Sequence, residues 1–181
     1  MVLSAALLIR EHGAHATSVA DVLAHSGAPR GSAYHYFPGG RAQLLREATG
    51  LAADFVATEI ENADTALDAI DKLVGFYRQQ LVDTDYRAGC PIVAVTVESD
   101  NRDNDVHQHA AQAFDRWTNA LAQKILGDSA DELALLSISA IEGAIALSRA
   151  QRDTRPLDAV HAQLRQVLAT SQRPEPTTRK Q

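Results

Sequence analysis

The sequence predicts an all-α fold, in which an N-terminal three-helix helix-turn-helix head precedes a C-terminal helical body. Apolar residues recur at helical spacing in nearly every segment, and no convincing alternating strand occurs. Residues 17–45 read as two short helices joined by a tight turn, with a second turn leading into a long helix. That arrangement can place a helix in the major groove of DNA.

Charge is distributed unevenly along the chain of 181 residues, whose net charge is −6. Residues 1–47 hold four arginines against three carboxylates, whereas residues 48–105 hold four basic against twelve acidic side chains. An acidic body is repelled by DNA and therefore orients a weakly basic head toward it. We expect DNA binding at the head, with only modest non-specific affinity.

Capping residues set the bounds of the first two helices of the head. Helix 1 is predicted over residues 2–12 and ends at Gly13. Thr17 or Ser18 is a suitable N-cap for helix 2, and Asp21 follows three residues after Ser18 as the partner of a capping box. The sequence therefore predicts a short connection and a well-defined start for helix 2.

Glycine and proline define helix 3 in the same way. Gly27 ends helix 2, and Pro29 suits the first position of helix 3 because its missing N–H costs nothing there. Helix 3 is predicted to run to about Tyr36. The string Phe37-Pro38-Gly39-Gly40 then indicates a stop and a turn before helix 4.

Six further helices are predicted for the body and one polar segment for the tail. The stretch 92–97 is rich in β-branched residues, but a lone central strand would have no partner, so a buried helix is predicted. The domains are then a head (1–47), a ligand-binding and dimerisation body (48–170) and a disordered tail (171–181). The predicted body helices span about residues 41–62, 65–83, 92–98, 104–126, 130–152 and 156–170.

Composition limits the classes of protein to which the chain can belong. Apolar residues at 45% and charged residues at 22% are ordinary for a globular protein of one domain, or of two small domains that share a core. No apolar run approaches the roughly 20 residues that span a bilayer, and no basic residue precedes the short N-terminal apolar stretch. With Cys90 as the single cysteine, we expect a cytoplasmic protein without a membrane partner.

These features resemble the DNA-binding head of the TetR family of bacterial transcriptional regulators. The resemblance covers about residues 3–48 and rests on the string Arg30-Gly31-Ser32-Ala33-Tyr34-His35-Tyr36-Phe37, which lies between Gly27 and the long helix 4. The string Tyr34-His35-Tyr36-Phe37-Pro38-Gly39-Gly40, together with Gly89-Cys90-Pro91, is similar to the LmrA/YxaF-like subgroup in particular. Elsewhere only the all-helical plan matches.

The resemblance implies a homodimer that represses a nearby gene and is released from DNA by a small apolar or amphipathic effector bound in the body. A dimer places two heads about one DNA turn or a multiple apart, which predicts a palindromic double-stranded operator. Family members usually carry a basic arm before helix 1, whereas Met1-Val2-Leu3 already lies within the helix here. We therefore expect weaker DNA binding. The alternative is a ligand-binding helical dimer with weak or no DNA binding that acts through a protein partner.

Nine residues of the head are candidate DNA contacts. Arg30, near the start of helix 3, can donate two hydrogen bonds to guanine or contact phosphate only. Tyr34 can contact a thymine methyl or a phosphate, while its aromatic neighbours in helix 3 more often position the backbone. Donors at the start of helix 2, and the arginine that begins helix 4, are candidates for phosphate contacts. The full set is Thr17, Ser18, Arg30, Gly31, Ser32, Tyr34, His35, Tyr36 and Arg41.

Residues of helices 4 to 8 are candidates for a ligand pocket, although any single one is more often simply core. Few aromatic residues and many alanines leave space, and Trp117 with Tyr77 could close over an apolar ligand. Glu98 and Glu142 lie in largely apolar stretches, where each is either a polar anchor or a partly exposed or paired carboxylate. The candidates are Phe55, Phe76, Tyr77, Val93, Val97, Phe114, Trp117, Leu121, Glu142 and Ile145, with Ile92 and Ile138 as further members.

Helices 8 and 9 carry apolar faces that either cover the protomer core or form a dimer interface, as the resemblance implies. The apolar residues concerned are Leu133, Leu136, Ile141, Ile145, Leu157, Val160, Leu164, Val167 and Leu168.

Catalysis and metal binding receive little support from the sequence. His107 and His109 have Asp103 and Asp105 nearby, but residues two apart on a helix do not face each other. Cys90 has no nearby histidine in the sequence, which favours a buried or structural thiol. We therefore predict no metal, no cofactor and no enzymatic activity.

Overall fold

The structure is a computed structural model that describes residues 1–98 and 104–171, without the side chains of residues 104–106. Within these ranges it contains helices and no strand, which confirms the predicted all-α class. The predicted disordered tail lies outside the described residues, apart from Ser171 at the end of the last helix. The helices are α1 (Val2–His12), α2 (Val19–Ser26), α3 (Arg30–Tyr36), α4 (Gly40–Glu61), α5 (Ala66–Asp83), α6 (Pro91–Glu98), α7 (Asn104–Ala122), α8 (Ala130–Gln151) and α9 (Arg155–Ser171).

Two helix bounds differ from the prediction. Pro29 is the N-cap residue of α3, with φ −59° and ψ 143°, and so precedes the helix instead of forming its first residue. Helix α7 ends at Ala122, four residues earlier than predicted, because the chain tightens there: Lys124 N donates to Leu121 O and Ile125 N to Ala122 O. The stretch predicted as a buried helix in spite of its β-branched residues is helical as α6.

The buried apolar side chains form two clusters that share α4. Leu44 and Ala48, from the first half of α4, belong to the cluster in the head, whereas Val56 and Ile60 belong to the cluster in the body. Val95 of α6 also packs in the head cluster, so a helix from the body part of the sequence completes the core of the head. The head cluster comprises Ala5, Ala6, Ile9, Val22, Phe37, Leu44, Ala48 and Val95.

The body is a bundle in which α4 packs on α5 and α7, and α8 packs on α7 and α9. Trp117 of α7 is buried, and its Nε1 donates to Ala53 O of α4 at 2.9 Å, which satisfies the only polar atom of the indole. Helix α6 contacts α1, α4 and α7. Together with α4, it is therefore a helix through which the head and the body meet.

Helix α8 is long and apolar enough to span a membrane, judged by length and composition alone. A core helix of a helical bundle meets the same criterion. Ala134, Ile141 and Ile145 of α8 are buried against the neighbouring helices, as expected of such a core helix.

Candidate functional site

Local hydrogen bonds set the geometry of the helix-turn-helix. Ser18 Oγ accepts a hydrogen bond from Asp21 N at 3.2 Å, and the Asp21 carboxylate accepts one from Ser18 N at 3.0 Å. The predicted capping box is therefore present at the start of α2. Gly27 ends α2 with a left-handed φ of 68°, a conformation that glycine adopts without steric cost.

The outward face of α3 is exposed along most of the helix. Ala33 and Phe37 pack inward, whereas Tyr34 is 87% exposed and Tyr36 64% exposed. Large aromatic surface left in water is characteristic of an interaction surface. Six of the predicted DNA contacts share this helix, and all are exposed except the partly buried Ser32: Arg30, Gly31, Ser32, Tyr34, His35 and Tyr36.

Two residues predicted to contact phosphate have structural roles within the head. Thr17 is buried, and its hydroxyl donates to Gly13 O at 2.7 Å, so this hydroxyl does not face solvent as the prediction requires. Arg41 is exposed, but its Nε donates to Thr17 O at 2.9 Å and its Nη2 donates to Ala14 O and to His15 O. The Arg41 guanidinium therefore binds the α1–α2 turn, where three carbonyl oxygens converge.

The same α1–α2 turn is bound from the body side by Glu98, at the end of α6. Glu98 Oε2 accepts a hydrogen bond from His15 N at 2.6 Å and lies 3.4 Å from His15 Nδ1. Gly13 has φ 87°, and a Cβ atom at that position would lie 1.9 Å from Glu98 Oε1. Of the two roles left open by the sequence, Glu98 is thus the paired carboxylate, and it joins the body to the head.

Residues at the end of α1 make further contacts with the body. Gly89 N donates to Arg10 O at 2.8 Å, and Arg10 Nη1 donates to the Gln80 side chain on α5. Glu11 Oε2 lies 3.4 Å from Arg87 Nε. Burial lowers the pKa of Arg10 below its ordinary value. Helix α1 is therefore fixed to the body by its backbone as well as by its side chains.

A pocket of about 280 Å³ lies at this head–body junction. Its walls come from the end of α1, the segment before α6, and helices α6 and α8. Four of the ten predicted ligand contacts line it, and they are Val93, Val97, Glu142 and Ile145.

The other six predicted ligand contacts lie outside this pocket. Tyr77 is buried behind it, within hydrogen-bonding reach of Cys90. Phe55 is 43% exposed, and its ring packs on Phe76 with the centroids 4.7 Å apart. Helical spacing predicted that these side chains point inward, but it could not predict which inward-pointing side chains line the pocket. The residues that pack in the body core instead are Phe114, Trp117, Leu121, Ile92 and Ile138.

Glu142 and Cys90 add ionisable groups to the wall of the pocket. The Cys90 thiol lies within hydrogen-bonding reach of the Glu142 carboxyl and the Tyr77 hydroxyl. Burial raises the pKa of Glu142 to about 7, and its contact with Cys90 offsets this only in part. Burial, reinforced by the charge of Glu142, holds the pKa of the Cys90 thiol well above its ordinary value. At neutral pH Cys90 is thus a neutral thiol beside a carboxyl group that titrates.

Several pocket residues were not predicted from the sequence. Ile9, His12 and Gly13 reach the pocket from the head, whereas the sequence predicted ligand contacts only in helices 4 to 8. Cys90 also lines it, after being interpreted as a buried or structural thiol. The sequence contained one indication near these residues, which was the helix break at Gly89-Cys90-Pro91. Gly89 and Cys90 of this break line the pocket.

The described residues include no group of three or more His, Cys, Asp and Glu side chains able to hold a metal ion. Asp103 and the side chain of Asp105, which the sequence placed near His107 and His109, lie outside the described residues.

An apolar face on α8 and α9 stays uncovered in the protomer. Leu135, Leu136 and Leu147 of α8 are exposed by 52–59%, and Val167 of α9 by 39%. Small exposed residues lie between the leucines at helical spacing, and they are Ser139, Gly143 and Ala146. A second helix could therefore approach α8 closely along this face.

Most of the residues predicted for a dimer interface do not lie on this uncovered face. Of the nine, only Leu136 and Val167 are exposed, while Leu133 and Val160 are partly buried. The remaining five point into the protomer core, because each helix turns its most regular apolar stripe inward. They are Ile141, Ile145, Leu157, Leu164 and Leu168.

Both parts of the chain match known protein families. Residues 2–48 match the family model described as "Bacterial regulatory proteins, tetR family". Residues 66–163, more than half of the chain, match the model described as "Transcriptional regulator LmrA/YxaF-like, C-terminal domain".

Curated relatives are similar along nearly the whole chain. The "Uncharacterized HTH-type transcriptional regulator Rv0196" of Mycobacterium tuberculosis is 56% identical over 178 residues, covering 93% of this chain and 92% of the relative. The "Uncharacterized HTH-type transcriptional regulator YxaF" of Bacillus subtilis is 29% identical over 163 residues, with 85% of each chain covered.

A solved structure has the same fold. The regulatory protein TetR from Rhodobacter sphaeroides superposes with a TM-score of 0.80 at 19% identity, covering 90% of this chain and 94% of that one.

Proposed function

Since the chain belongs to the TetR family of transcriptional regulators, we propose that it is a ligand-responsive repressor. Family membership makes it a helix-turn-helix DNA-binding regulator and not an enzyme. In the proposal, a homodimer binds a palindromic operator in the bacterial cytoplasm and is released by a small apolar or amphipathic molecule. The exposed outward face of α3 is the observation that carries this proposal.

DNA recognition is assigned to α3. Arg30 is exposed at the start of this helix, where its guanidinium can donate two hydrogen bonds to guanine O6 and N7 in the major groove. Tyr34 and Tyr36 supply the exposed aromatic surface for a thymine methyl group or for the sugar-phosphate backbone. Ser18 is exposed at the start of α2, but its backbone N–H and hydroxyl already bind Asp21 in the capping box, so a phosphate contact through them has to displace that carboxylate.

Dimerisation is assigned to the uncovered face of α8 and α9. Leucines on a protomer surface stabilise a dimer by leaving water, with about 25 cal/mol for each Å² of apolar area buried. The small residues Ser139, Gly143 and Ala146 let the two α8 helices approach, so that the leucines on either side pack across the interface.

Ligand response is assigned to the head–body junction. The pocket is lined by α1 and α6, and those helices are also joined through Glu98 and the α1–α2 turn. A ligand that moves α6 relative to α1 changes how Glu98 and Val95 support the head. The spacing of the two α3 helices then no longer matches one turn of DNA. Such a ligand acts only through its different affinity for the two arrangements.

Selection of bound DNA from a random library by the purified full chain tests the operator. We expect enrichment of a palindrome whose half-sites lie about one DNA turn or a multiple apart. Enrichment of an asymmetric site contradicts the dimeric repressor. If no sequence is enriched, the alternative becomes the better account: a ligand-binding helical dimer with weak or no DNA binding that acts through a protein partner. The nearly balanced charge of residues 1–47 favours this alternative.

The dimer interface is tested by Leu147→Arg, with Leu126→Arg as the control. Both leucines are exposed, by 54% and 66%, but Leu126 follows α7 and lies outside the α8–α9 face. We expect Leu147→Arg to produce a folded monomer in analytical ultracentrifugation, whereas Leu126→Arg sediments like the unmodified chain. Equal dimerisation of both variants would rule out this interface.

A further inference from the structure

The pocket at the head–body junction contains a carboxyl group that lacks a partner for one of its oxygens. Glu142 Oε2 is buried and has no hydrogen-bond partner among the described residues. The rest of the Glu142 side chain forms part of the pocket wall. A buried carboxylate oxygen without a donor carries a large desolvation penalty. The pocket is therefore incomplete at this point until a donor enters it.

The other charged groups around the pocket do not supply that donor. Glu11 is paired with Arg87 and Glu98 with the backbone of His15, so two of the three carboxylates are already bound. Arg149 lies two helical turns beyond Glu142 on α8, about 10 Å along the helix axis. Its guanidinium lies instead against Gly89, where a Cβ atom would be 2.8 Å from Nη1. His12 of α1 is the remaining ionisable side chain that lines the pocket, apart from Cys90.

The remaining pocket wall is apolar and limits the size of a ligand. The apolar side chains that line it come from the head (Ile9), from α6 (Val93 and Val97) and from α8 (Ile145). The volume of about 280 Å³ lies just below the usual range of ligand pockets, roughly 300–1,000 Å³. The space suits a compact apolar body attached to a single polar group.

We propose that this pocket binds a small organic cation, a protonated amine on a compact apolar body, whose ammonium group donates to the Glu142 carboxylate. This inference rests on the ligand response proposed above and names the chemical class of the effector. An ammonium group supplies both the missing donors and the opposite charge, and hydrogen bonds of that kind are roughly twice as strong as neutral ones. A neutral alcohol supplies a donor only, and an anion meets repulsion from Glu142.

Cys90 and Tyr77 do not oppose the preference of the site for a cation. Cys90 lines the pocket beside Glu142, Tyr77 lies within hydrogen-bonding reach of Cys90, and both remain neutral because burial raises their pKa values. They accordingly add no positive charge that would compete with the amine. The amine binds to the ionised form of Glu142, so its affinity rises as the pH increases through about 7.

Calorimetry on the DNA-free protein tests this inference. The probes are primary amines with aryl or alkyl bodies of up to about ten carbons, each compared with its isosteric alcohol and carboxylate at pH 8. We expect at least one amine to bind at least tenfold more tightly than its alcohol, with no binding of the carboxylate. Glu142→Gln should remove that preference, and Glu132→Gln, at an exposed position of the same helix, should leave it unchanged.

The pH profile separates Glu142 from His12, which also faces the pocket. The amine affinity of the unmodified protein should fall several-fold between pH 8 and pH 6, and Glu142→Gln should abolish this fall. Val97→Phe, which places a ring at the exposed edge of the pocket, should weaken the amine at least fivefold and so locate the site.

Three results would each overturn the inference: no amine binds, the alcohols bind as tightly as the amines, or Glu142→Gln keeps the preference. These measurements contain no DNA, so their failure leaves the operator selection as an independent test of the repressor.

Discussion

The outward face of α3 and the pocket at the head–body junction are built in opposite ways. Seven consecutive residues form α3 and supply most of the candidate DNA contacts. The pocket combines α1, α6 and α8, and one contact that joins head and body beside it links His15 to Glu98, which are 83 residues apart in sequence. The candidate DNA contacts on α3 are mostly exposed to solvent, whereas Glu142 lies beside Cys90 and Glu98 binds His15, both of which are distant in sequence.

Because of this difference, substitutions in the two regions should affect DNA binding and the free energy of unfolding in different proportions. A side chain on the outward face of α3 has few contacts within the chain, so its loss should weaken DNA binding and leave the free energy of unfolding nearly unchanged. A side chain at the junction contributes to folding and to the position of the head together. Substitutions in the two regions should therefore fall into two distinguishable classes.

The largest effect is expected for Arg30→Ala and Tyr34→Ala on operator affinity. A base contact discriminates by about 1–3 kcal/mol, and a dimer loses it in both heads, which corresponds to a loss of roughly 30-fold or more. Gel-shift titration should reveal this loss, while urea unfolding stays unchanged. Arg155→Ala removes an exposed arginine from α9 and should leave operator affinity unaffected. Normal affinity of both head variants would contradict the role of α3.

A smaller but substantial effect is expected for Gly13→Ala on stability. Gly13 has φ 87° and ψ 165°, a conformation that essentially only glycine adopts and that costs alanine about 1–3 kcal/mol. In addition, the new Cβ displaces the Glu98 carboxylate, whose charged hydrogen bond to His15 is worth about 1.5–3 kcal/mol. Urea unfolding should therefore give a total loss of about 3 kcal/mol or more.

Gly127→Ala is the matched control for that substitution. Gly127 also has a positive φ, of 97°, but a Cβ atom there meets nothing within 4 Å. This variant should lose only the backbone contribution. In the Gly13→Ala background, Glu98→Ala should cost little, because the contact has already been lost. An undiminished cost of Glu98→Ala in that background would show that the clash does not break the Glu98–His15 contact.

The next effect concerns Glu142 and pH. The folded chain holds the Glu142 proton up to about pH 7, whereas an unfolded glutamate loses it near 4.5, so this residue lowers stability as the pH rises through that window. Glu142→Gln avoids the penalty. It should stabilise the chain by about 2–3 kcal/mol at pH 8 and by much less at pH 5. Urea unfolding at both pH values, with Glu132→Gln as the control, measures the difference. A gain that is the same at both pH values would contradict the raised pKa.

The smallest effect is expected for Ser18→Ala at the start of α2. Its capping hydrogen bond is worth about 1 kcal/mol. Ser129 is also an exposed N-cap serine, at α8, but makes no side-chain capping bond. Ser129→Ala should therefore leave the melting temperature unchanged while Ser18→Ala lowers it. Equal shifts for the two variants would show that the capping box contributes no stability.

The helices of the head could be predicted nearly to the residue because their signals are local. Ser18, Asp21 and Gly27 act within one or two turns of the backbone they terminate. Helix α6 was predicted correctly for a different reason, since a single strand would have left its backbone unpaired. The early end of α7 was missed because it depends on a distant contact: Lys124, just after α7, donates through Nζ to the carbonyl oxygen of Ala63, just after α4, at 2.7 Å.

The candidate site was only partly predictable. Val93, Val97, Glu142 and Ile145 line the pocket as expected, but periodicity alone could not separate them from core residues such as Trp117. The contribution of α1 to the pocket depends on how the head packs on α6. The role of Arg41 likewise depends on where the carbonyl oxygens of the α1–α2 turn converge.

The amino-acid sequence by itself determined the helices, the candidate DNA contacts of α3 and the family, because these depend on spacing, capping and short motifs. The tertiary structure alone decided that Glu98 joins the body to the head and that Glu142 faces a pocket with an unbonded oxygen. It also decided which leucines of α8 stay exposed. The physical reason is that burial, pairing and desolvation depend on groups brought together from distant parts of the chain, which no local pattern records.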